Sequence, residues 1–142
     1  MSYLFDTDHI TVLQRQSGPA FAAIMTHIAL HPPSELAFSI ISLHEQALGC
    51  HTYINQARTA DDTIRGYRML NQVLAAFAAA PVLPFDAAAA AVFEDLVAQR
   101  LRIGRMDLRI ASIALSRGMV VVTRNARDFS RVPGLQIEDW TV

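Results

Sequence analysis

The sequence predicts an α/β protein, a three-layer α/β/α sandwich built around a short, mostly parallel sheet. Short apolar runs typical of buried strands alternate with longer segments of helical periodicity. The run from Met119 to Val122 is apolar and mostly β-branched, as in a parallel strand covered on both faces. The 142 residues, of which 52% are hydrophobic, are enough for one core. We therefore expect a single domain over residues 1–142 with right-handed crossovers.

The first half of the chain is predicted to hold two strands and four helices. The expected strands are 3–5 and 36–40, and the expected helices are 7–14, 19–30, 42–55 and 60–79. Asp6 and Asp8 with Thr7 suit the start of the first helix, and prolines at 32 and 33 end the second. Ser42 and Glu45 have the spacing of a capping box. The last two helices are predicted to form a helical hairpin arm at about 42–79.

The second half is predicted to contain three strands and two helices. Strands are expected at 81–85, 119–122 and 135–137. Asp86 is the predicted cap of an alanine-rich helix that reaches about Ile103, where Gly104 is expected as the C-terminal cap. Asp107 is expected to begin the next helix, which ends near Gly118.

Composition restricts the function classes. The net charge of -1 gives no overall attraction to nucleic acid, so any such binding must be local. All twelve basic residues are arginines, and four of them cluster at 100, 102, 105 and 109. Cys50 is the only cysteine, which excludes an intramolecular disulfide. No apolar run approaches the length of a membrane span and the start does not resemble a secretory signal, so a cytoplasmic protein is expected.

Four polar residues are predicted to lie where apolar strands give way to helices: Asp6, Glu45, Asp107 and Asn125. Strand-to-helix junctions gather along one edge of a parallel sheet, so these residues are expected to meet. Converging carboxylates usually hold a metal, and oxygen ligands suit Mg²⁺ or Mn²⁺. Each residue is also explained singly as a helix cap, so the prediction depends on the set.

Four further residues are accessory candidates. Asp8 and Asp128 are close enough in sequence to the predicted site to join a metal through water. Thr123 is placed to donate its hydroxyl to Asp6 or to a metal-bound water, and Thr7 follows Asp6 directly. The histidines at 9, 44 and 51 show no zinc-ligand spacing and are interpreted as structural or surface residues.

Several short motifs in order give the chain a resemblance to a known family. They are Leu4-Phe5-Asp6-Thr7-Asp8, the segment from Ser39 to Glu45, Val82 to Asp86, Asp107 to Ala111, Val122 to Asn125, and the tail from Phe129 to Trp140. With these motifs the chain resembles PIN-domain ribonucleases and, within them, the toxin half of VapBC-type toxin-antitoxin pairs. The resemblance spans nearly the whole length.

The resemblance implies roles for the candidate residues. Asp6, Glu45 and Asp107 match the metal-binding acids of the family, while Asn125 stands where many members carry a fourth aspartate and Asp8 where many carry asparagine. The implied reaction is hydrolysis of an RNA phosphodiester that leaves a 5'-phosphate, with Mg²⁺ or Mn²⁺ generating hydroxide and neutralising charge.

The resemblance also implies partners. Arg105, Arg109 and Arg124 are the expected RNA contacts, and a structured RNA such as tRNA is the expected substrate. A cognate antitoxin is expected to bind a groove beside the hairpin arm, and a homodimer is expected, with the apolar stripe of the 60–79 helix as one candidate surface. Two alternatives stay open: a PIN-like protein that binds RNA or an antitoxin without cutting, and a haloacid dehalogenase-like phosphatase, suggested by Asp6 and Asp8 but lacking the usual lysine.

Overall fold

Five parallel strands form the centre of the molecule in the computed structural model, which describes all 142 residues. The strands are β1 Tyr3–Phe5, β2 Leu36–Ser39, β3 Val82–Leu83, β4 Val120–Val122 and β5 Ile137–Glu138, in the order β3-β2-β1-β4-β5. The helices are α1 Thr7–Arg15, α2 Pro19–Ala29, α3 Ile40–Gln56, α4 Ala60–Phe77, α5 Ala87–Ala98, α6 Arg105–Arg117 and α7 Ala126–Phe129, with a 3₁₀ turn at Pro33–Glu35. The predicted α/β class with a parallel sheet is confirmed.

Two apolar cores lie on opposite faces of this sheet. Successive side chains of a strand point to opposite faces, so Leu4 packs into a core with α5 and α6, whereas Phe5 packs into a second core with α1, α2 and Trp140. Both side chains are almost fully buried, at 0% and 2% exposure. The sheet is therefore the middle of three layers.

Two local predictions were wrong for the same physical reason. The cap of α3 is Ser39, whose hydroxyl accepts the backbone N–H of Ser42 at 3.2 Å, so Ser42 and Glu45 do not form the predicted capping box. Gly104 is the N-cap of α6 rather than the C-cap of α5, which already ends at Ala98. In both places several neighbouring residues suit a cap, so local sequence does not single out the one at which the helix ends.

The hairpin of α3 and α4 contains one very close approach. A Cβ atom on Gly66 would lie 2.5 Å from Cγ1 of Ile54 and 3.2 Å from Cδ1 of Tyr53, so only glycine lets these helices pack at this separation. The hairpin starts and ends two residues earlier than predicted, because Ser39 caps it and α4 ends at Phe77. None of the helices combines the length and apolarity required to cross a bilayer.

Candidate active site

Asp6 and Thr123 lie side by side at the carboxyl edge of the sheet. Phe5 pairs with Val122 in the parallel register, so the next residue of each strand begins a turn at the same level. The backbone N–H of Asp6 donates to the carbonyl of Val122 at 2.9 Å, and the Thr123 hydroxyl donates to Oδ2 of Asp6 at 2.7 Å. Asp6 is 5% exposed and also accepts the backbone N–H of Thr7, as the cap of α1. The position of Asp6 is therefore fixed from two strands.

Asn125 connects Thr123 to two further acids. Its backbone N–H donates to the Thr123 hydroxyl oxygen at 2.9 Å. Its side-chain amide nitrogen lies 3.0 Å from Asp128 on α7 and 3.4 Å from Asp107 in the first turn of α6. Ionised carboxylates only accept, so the amide nitrogen is the atom that faces them. Asn125 thus bridges Asp107 and Asp128 and makes no side-chain cap for α7.

Glu45 reaches the same edge from α3 through a chain of hydroxyls. Oε1 of Glu45 lies 2.9 Å from the Thr7 hydroxyl, which lies 2.9 Å from the hydroxyl of Ser42. Each hydroxyl carries one proton and the carboxylate accepts only, so Ser42 donates to Thr7 and Thr7 donates to Glu45. A contact of 3.4 Å extends this chain to Ser39. These bonds hold the start of α1 against α3 and orient the glutamate.

Asp8 is held by protein donors rather than by solvent. Oδ1 lies 2.8 Å from Nδ1 of His9, and Oδ2 accepts the backbone N–H of Arg124 at 2.9 Å. The Thr123 hydroxyl is 3.3 Å from Asp8, but its single proton is taken by the shorter contact to Asp6. Asp8 consequently ties the first turn of α1 to the turn that follows β4.

Mutual repulsion and burial dominate the electrostatics of this edge. Burial first, then the charges of Asp8 and Asp107, raise the pKa of Asp6 to about 7, against opposing hydrogen bonds from Thr123 and Thr7. Burial, followed by the charges of Glu45, Asp128 and Asp8, raises the pKa of Asp107 to about 6.

No guanidinium compensates the three predicted metal-binding acids. The two arginine ion pairs in the structure join Arg117 to Asp86 and Arg131 to Asp128, and neither involves Asp6, Glu45 or Asp107. Clustered acids without a counter-charge carry a free-energy cost that a proton or a bound cation removes.

The donor chemistry of the site fits a hard divalent cation, since every candidate ligand is a carboxylate or amide oxygen. The spacing is wider than a direct three-ligand site requires. No three histidine, cysteine, aspartate or glutamate side chains are placed to hold one metal ion together. With the side chains arranged in this way, shared coordination needs bridging water or rotation of a carboxylate, and the metal ligands stay a prediction.

The three arginines expected to contact RNA occupy different settings. Arg105 is exposed at the first residue of α6, and Arg124 is exposed beside Asn125. The guanidinium of Arg109 lies over the ring of Phe93, 5.4 Å from its centroid. The sequence did not single out Arg131, which pairs with Asp128 at 3.0 Å, because an arginine three residues after an acid is common on helical turns.

Comparison with known proteins was made by sequence and by structure. No protein-family model matches the chain. The tRNA(fMet)-specific endonuclease VapC of Shigella flexneri is 45% identical over 64 residues, which cover 42% of this chain and 48% of that relative. The matched segment therefore spans about half the length of the curated relative.

Solved structures match over nearly the whole chain. A chain of the DNA-bound VapBC structure from Salmonella typhimurium aligns with a TM-score of 0.75 and 28% identity, covering 99% of this chain and 98% of that one. VapBC-1 from nontypeable Haemophilus influenzae aligns with a TM-score of 0.71 and 26% identity, covering 100% of both chains. These comparisons confirm the resemblance indicated by the sequence motifs: part of the chain is similar in sequence to VapC proteins, and nearly the whole chain shares the fold found in VapBC structures.

Proposed function

We propose that this chain is a Mg²⁺- or Mn²⁺-dependent endoribonuclease toxin that hydrolyses phosphodiester bonds in a structured RNA such as tRNA and is neutralised by a cognate antitoxin. The observation that carries the proposal is the uncompensated cluster of carboxylates at the carboxyl edge of the parallel sheet, where α/β proteins place their ligand sites. The relative from Shigella flexneri is a tRNA(fMet)-specific endonuclease, which supports the choice of RNA as substrate.

Asp6, Glu45 and Asp107 are the residues that would hold the metal. When bound, the ion would supply a nucleophilic hydroxide and would neutralise charge on the phosphate. Thr123 and Thr7 keep Asp6 and Glu45 oriented by donating hydrogen bonds, and Asn125 holds Asp107 through its amide nitrogen. Exposed Arg105 lies two residues before Asp107, and exposed Arg124 directly precedes Asn125, so both would supply the local cations that a polyanionic substrate needs in order to approach.

An apolar groove supports the antitoxin as partner. It has a volume of about 1330 Å³ and lies between α1 and α2 on one side and α3 and α4 on the other, lined mainly by hydrophobic side chains that include Phe21, Met25 and Met69. None of the predicted catalytic residues lines it, but Gln46 does, one residue after Glu45. A groove of this kind suits the apolar face of a partner helix. Occupation of the groove would therefore place an antitoxin segment along α3, the helix that carries Glu45.

The test is cleavage of purified RNA by the protein free of any partner. Wild-type protein with Mg²⁺ or Mn²⁺ should produce discrete fragments from total tRNA with 5'-phosphate ends, mapped by sequencing, and Asp107→Asn should abolish them. Binding of RNA without cleavage under all metal conditions would favour the alternative of a non-cutting PIN-like protein. Cleavage that persists unchanged in Asp107→Asn would indicate a contaminating nuclease and remove the proposal.

The partner is tested separately with a variant in the groove. Met25 is 43% exposed and lines the groove, so Met25→Glu should leave the fold and RNA cleavage intact. Growth arrest caused by the wild type should be relieved by the small protein encoded next to it, whereas arrest by Met25→Glu should persist. Equal relief of both would place the antitoxin elsewhere. The expected homodimer and cytoplasmic location belong to this proposal as well, and the outward face of α4 is the candidate dimer surface.

A further inference from the structure

His9 is fully buried, and both of its ring nitrogens have defined partners. The backbone N–H of Trp140 donates to Nε2 at 3.1 Å, so Nε2 is the unprotonated nitrogen and Nδ1 carries the proton. Nδ1 then donates to Asp8 at 2.8 Å. The ring also packs against Phe5, at a centroid distance of 6.5 Å. The imidazole can therefore neither rotate nor exchange its two partners without leaving a buried polar atom unpaired.

The Asp8 carboxylate that His9 holds controls the turn after β4. Its second oxygen accepts the backbone N–H of Arg124. Arg124 lies between Thr123, which donates to Asp6, and Asn125, which donates to Asp107. A single side chain of α1 thus fixes the backbone between two residues that orient two of the predicted metal-binding acids.

One other acid approaches His9. Oδ1 of Asp139 lies 3.6 Å from Nε2, but Asp139 accepts both the backbone N–H and the hydroxyl of Thr141, at 2.8 and 2.6 Å. Those two donors satisfy Asp139, and Nε2 is already occupied by the backbone of Trp140. Asp8 is consequently the single acceptor for the imidazole proton.

We propose that His9 is a positioning residue of the active site, whose buried imidazole anchors Asp8 to the C-terminal segment and thereby fixes the turn that presents Thr123 and Asn125. The inference rests on the proposed function for its catalytic consequence, while its structural part stands independently. His9 does not touch substrate or metal. It acts indirectly, by fixing the position of the residues that hydrogen-bond to the predicted metal ligands and orient them.

Two amide variants separate the two bonds of His9. The side-chain nitrogen of Asn reaches the place of Nδ1, so His9→Asn keeps a donor for Asp8 and loses the acceptor for Trp140. The longer side chain of Gln reaches the place of Nε2, so His9→Gln keeps the acceptor for Trp140 and loses the donor for Asp8. The pair is matched in chemistry and differs only in which connection survives.

The first measurement is amide hydrogen exchange at Arg124, which needs neither RNA nor metal. His9→Gln should raise the exchange rate on the order of 10-fold, and His9→Asn should change it far less. The second measurement is kcat/KM for RNA cleavage, which should fall on the order of 10- to 100-fold in His9→Gln and markedly less in His9→Asn. A general loss of packing would instead lower kcat/KM by similar factors in both variants.

Asp8→Ala provides a second route to the test if a histidine variant does not fold, because Asp8 is part exposed and belongs to neither apolar core, although its loss leaves the Nδ1 proton of His9 without an acceptor. Asp8→Ala alone should match His9→Gln in the amide exchange rate at Arg124 and in kcat/KM for cleavage. The double variant with Asp8→Ala and His9→Gln should have little further loss of kcat/KM. Unchanged exchange at Arg124 in either Asp8→Ala or His9→Gln, or equal losses in both amide variants, would overturn the inference. If the wild-type protein cleaves no RNA, the proposed function is refuted. Amide exchange at Arg124 would still test whether His9 fixes the turn after β4.

Discussion

The buried Asp6 carboxylate makes a quantitative prediction about the metal-free protein. Its pKa is raised from 3.8 to about 7, mainly by burial and by the charges of Asp8 and Asp107. At 1.36 kcal/mol per pKa unit, keeping Asp6 ionised in the folded state costs on the order of 4 kcal/mol. A raised carboxylate pKa favours the protonated folded state, so this contribution to stability is complete below pH 3.8 and is lost as the pH rises through about 7.

The variant Asp6→Asn removes the charge and keeps the shape of the side chain. At pH 8, with a chelator present, it should be more stable than the wild type by about 1 to 3 kcal/mol, because loss of charge-assisted hydrogen bonds offsets part of the gain. The advantage should fall by about 3 kcal/mol between pH 8 and pH 5, where the folded wild type protonates Asp6.

The assay is urea denaturation of both proteins across this pH range, followed by circular dichroism with and without Mn²⁺. Saturating Mn²⁺ at pH 8 should stabilise the wild type more than Asp6→Asn, because binding to the folded state adds RT ln(1 + [Mn²⁺]/Kd) and the wild type should have the lower Kd. Stability differences that stay constant from pH 5 to pH 8 would refute the argument that Asp6 is a strained carboxylate. Equal stabilisation of both proteins by Mn²⁺ would show that Asp6 is not a ligand.

Three further predictions test other parts of the structure. Thr7→Val removes the hydroxyl that orients Glu45 and should weaken Mn²⁺ binding on the order of 10-fold in calorimetric titration. Thr7→Ser keeps the hydroxyl and should restore most of the affinity; equal losses would assign Thr7 a packing role only. Asn125→Asp replaces an amide donor by a third carboxylate next to Asp107 and Asp128, so it should lower the stability of the protein in chelator and tighten Mn²⁺ binding. Weaker Mn²⁺ binding by this variant would contradict the prediction. Gly66→Ala should destabilise the hairpin by about 1 to 3 kcal/mol in urea denaturation, because its new Cβ overlaps α3. In the control Gly49→Ala the new Cβ meets nothing within 4 Å, so this variant should be more stable than the wild type by up to about 1 kcal/mol. If Gly66→Ala were instead the more stable of the two variants, the helices would be able to move apart without cost.

The order of elements was predictable because its signals are local. The apolar β-branched run before Thr123 and the prolines after α2 each specify structure within a few residues. The class of fold follows from the alternation of such segments. Exact ends were less predictable: Ser39 rather than Ser42 caps α3, and the four-residue α7 carries too little periodicity to be recognised.

The candidate site divides in the same way. The sequence by itself predicted that Asp6, Glu45, Asp107 and Asn125 follow strands that a parallel sheet brings to one edge, which depends only on chain direction and register. In the structure Glu45 lies inside α3 rather than at the junction itself. Only the tertiary structure decided which atoms meet: the amide nitrogen of Asn125 faces two carboxylates, and His9, predicted to be structural or at the surface, holds Asp8 from the interior. The bonds from Thr123 to Asp6, from Arg124 to Asp8 and from Trp140 to His9 join residues more than one hundred positions apart. The contact of Asn125 with Asp107 joins the start of α7 to α6, so no local pattern encodes these contacts. They arise when the helices pack on the sheet, because burial then requires each polar atom to find a partner within hydrogen-bond distance.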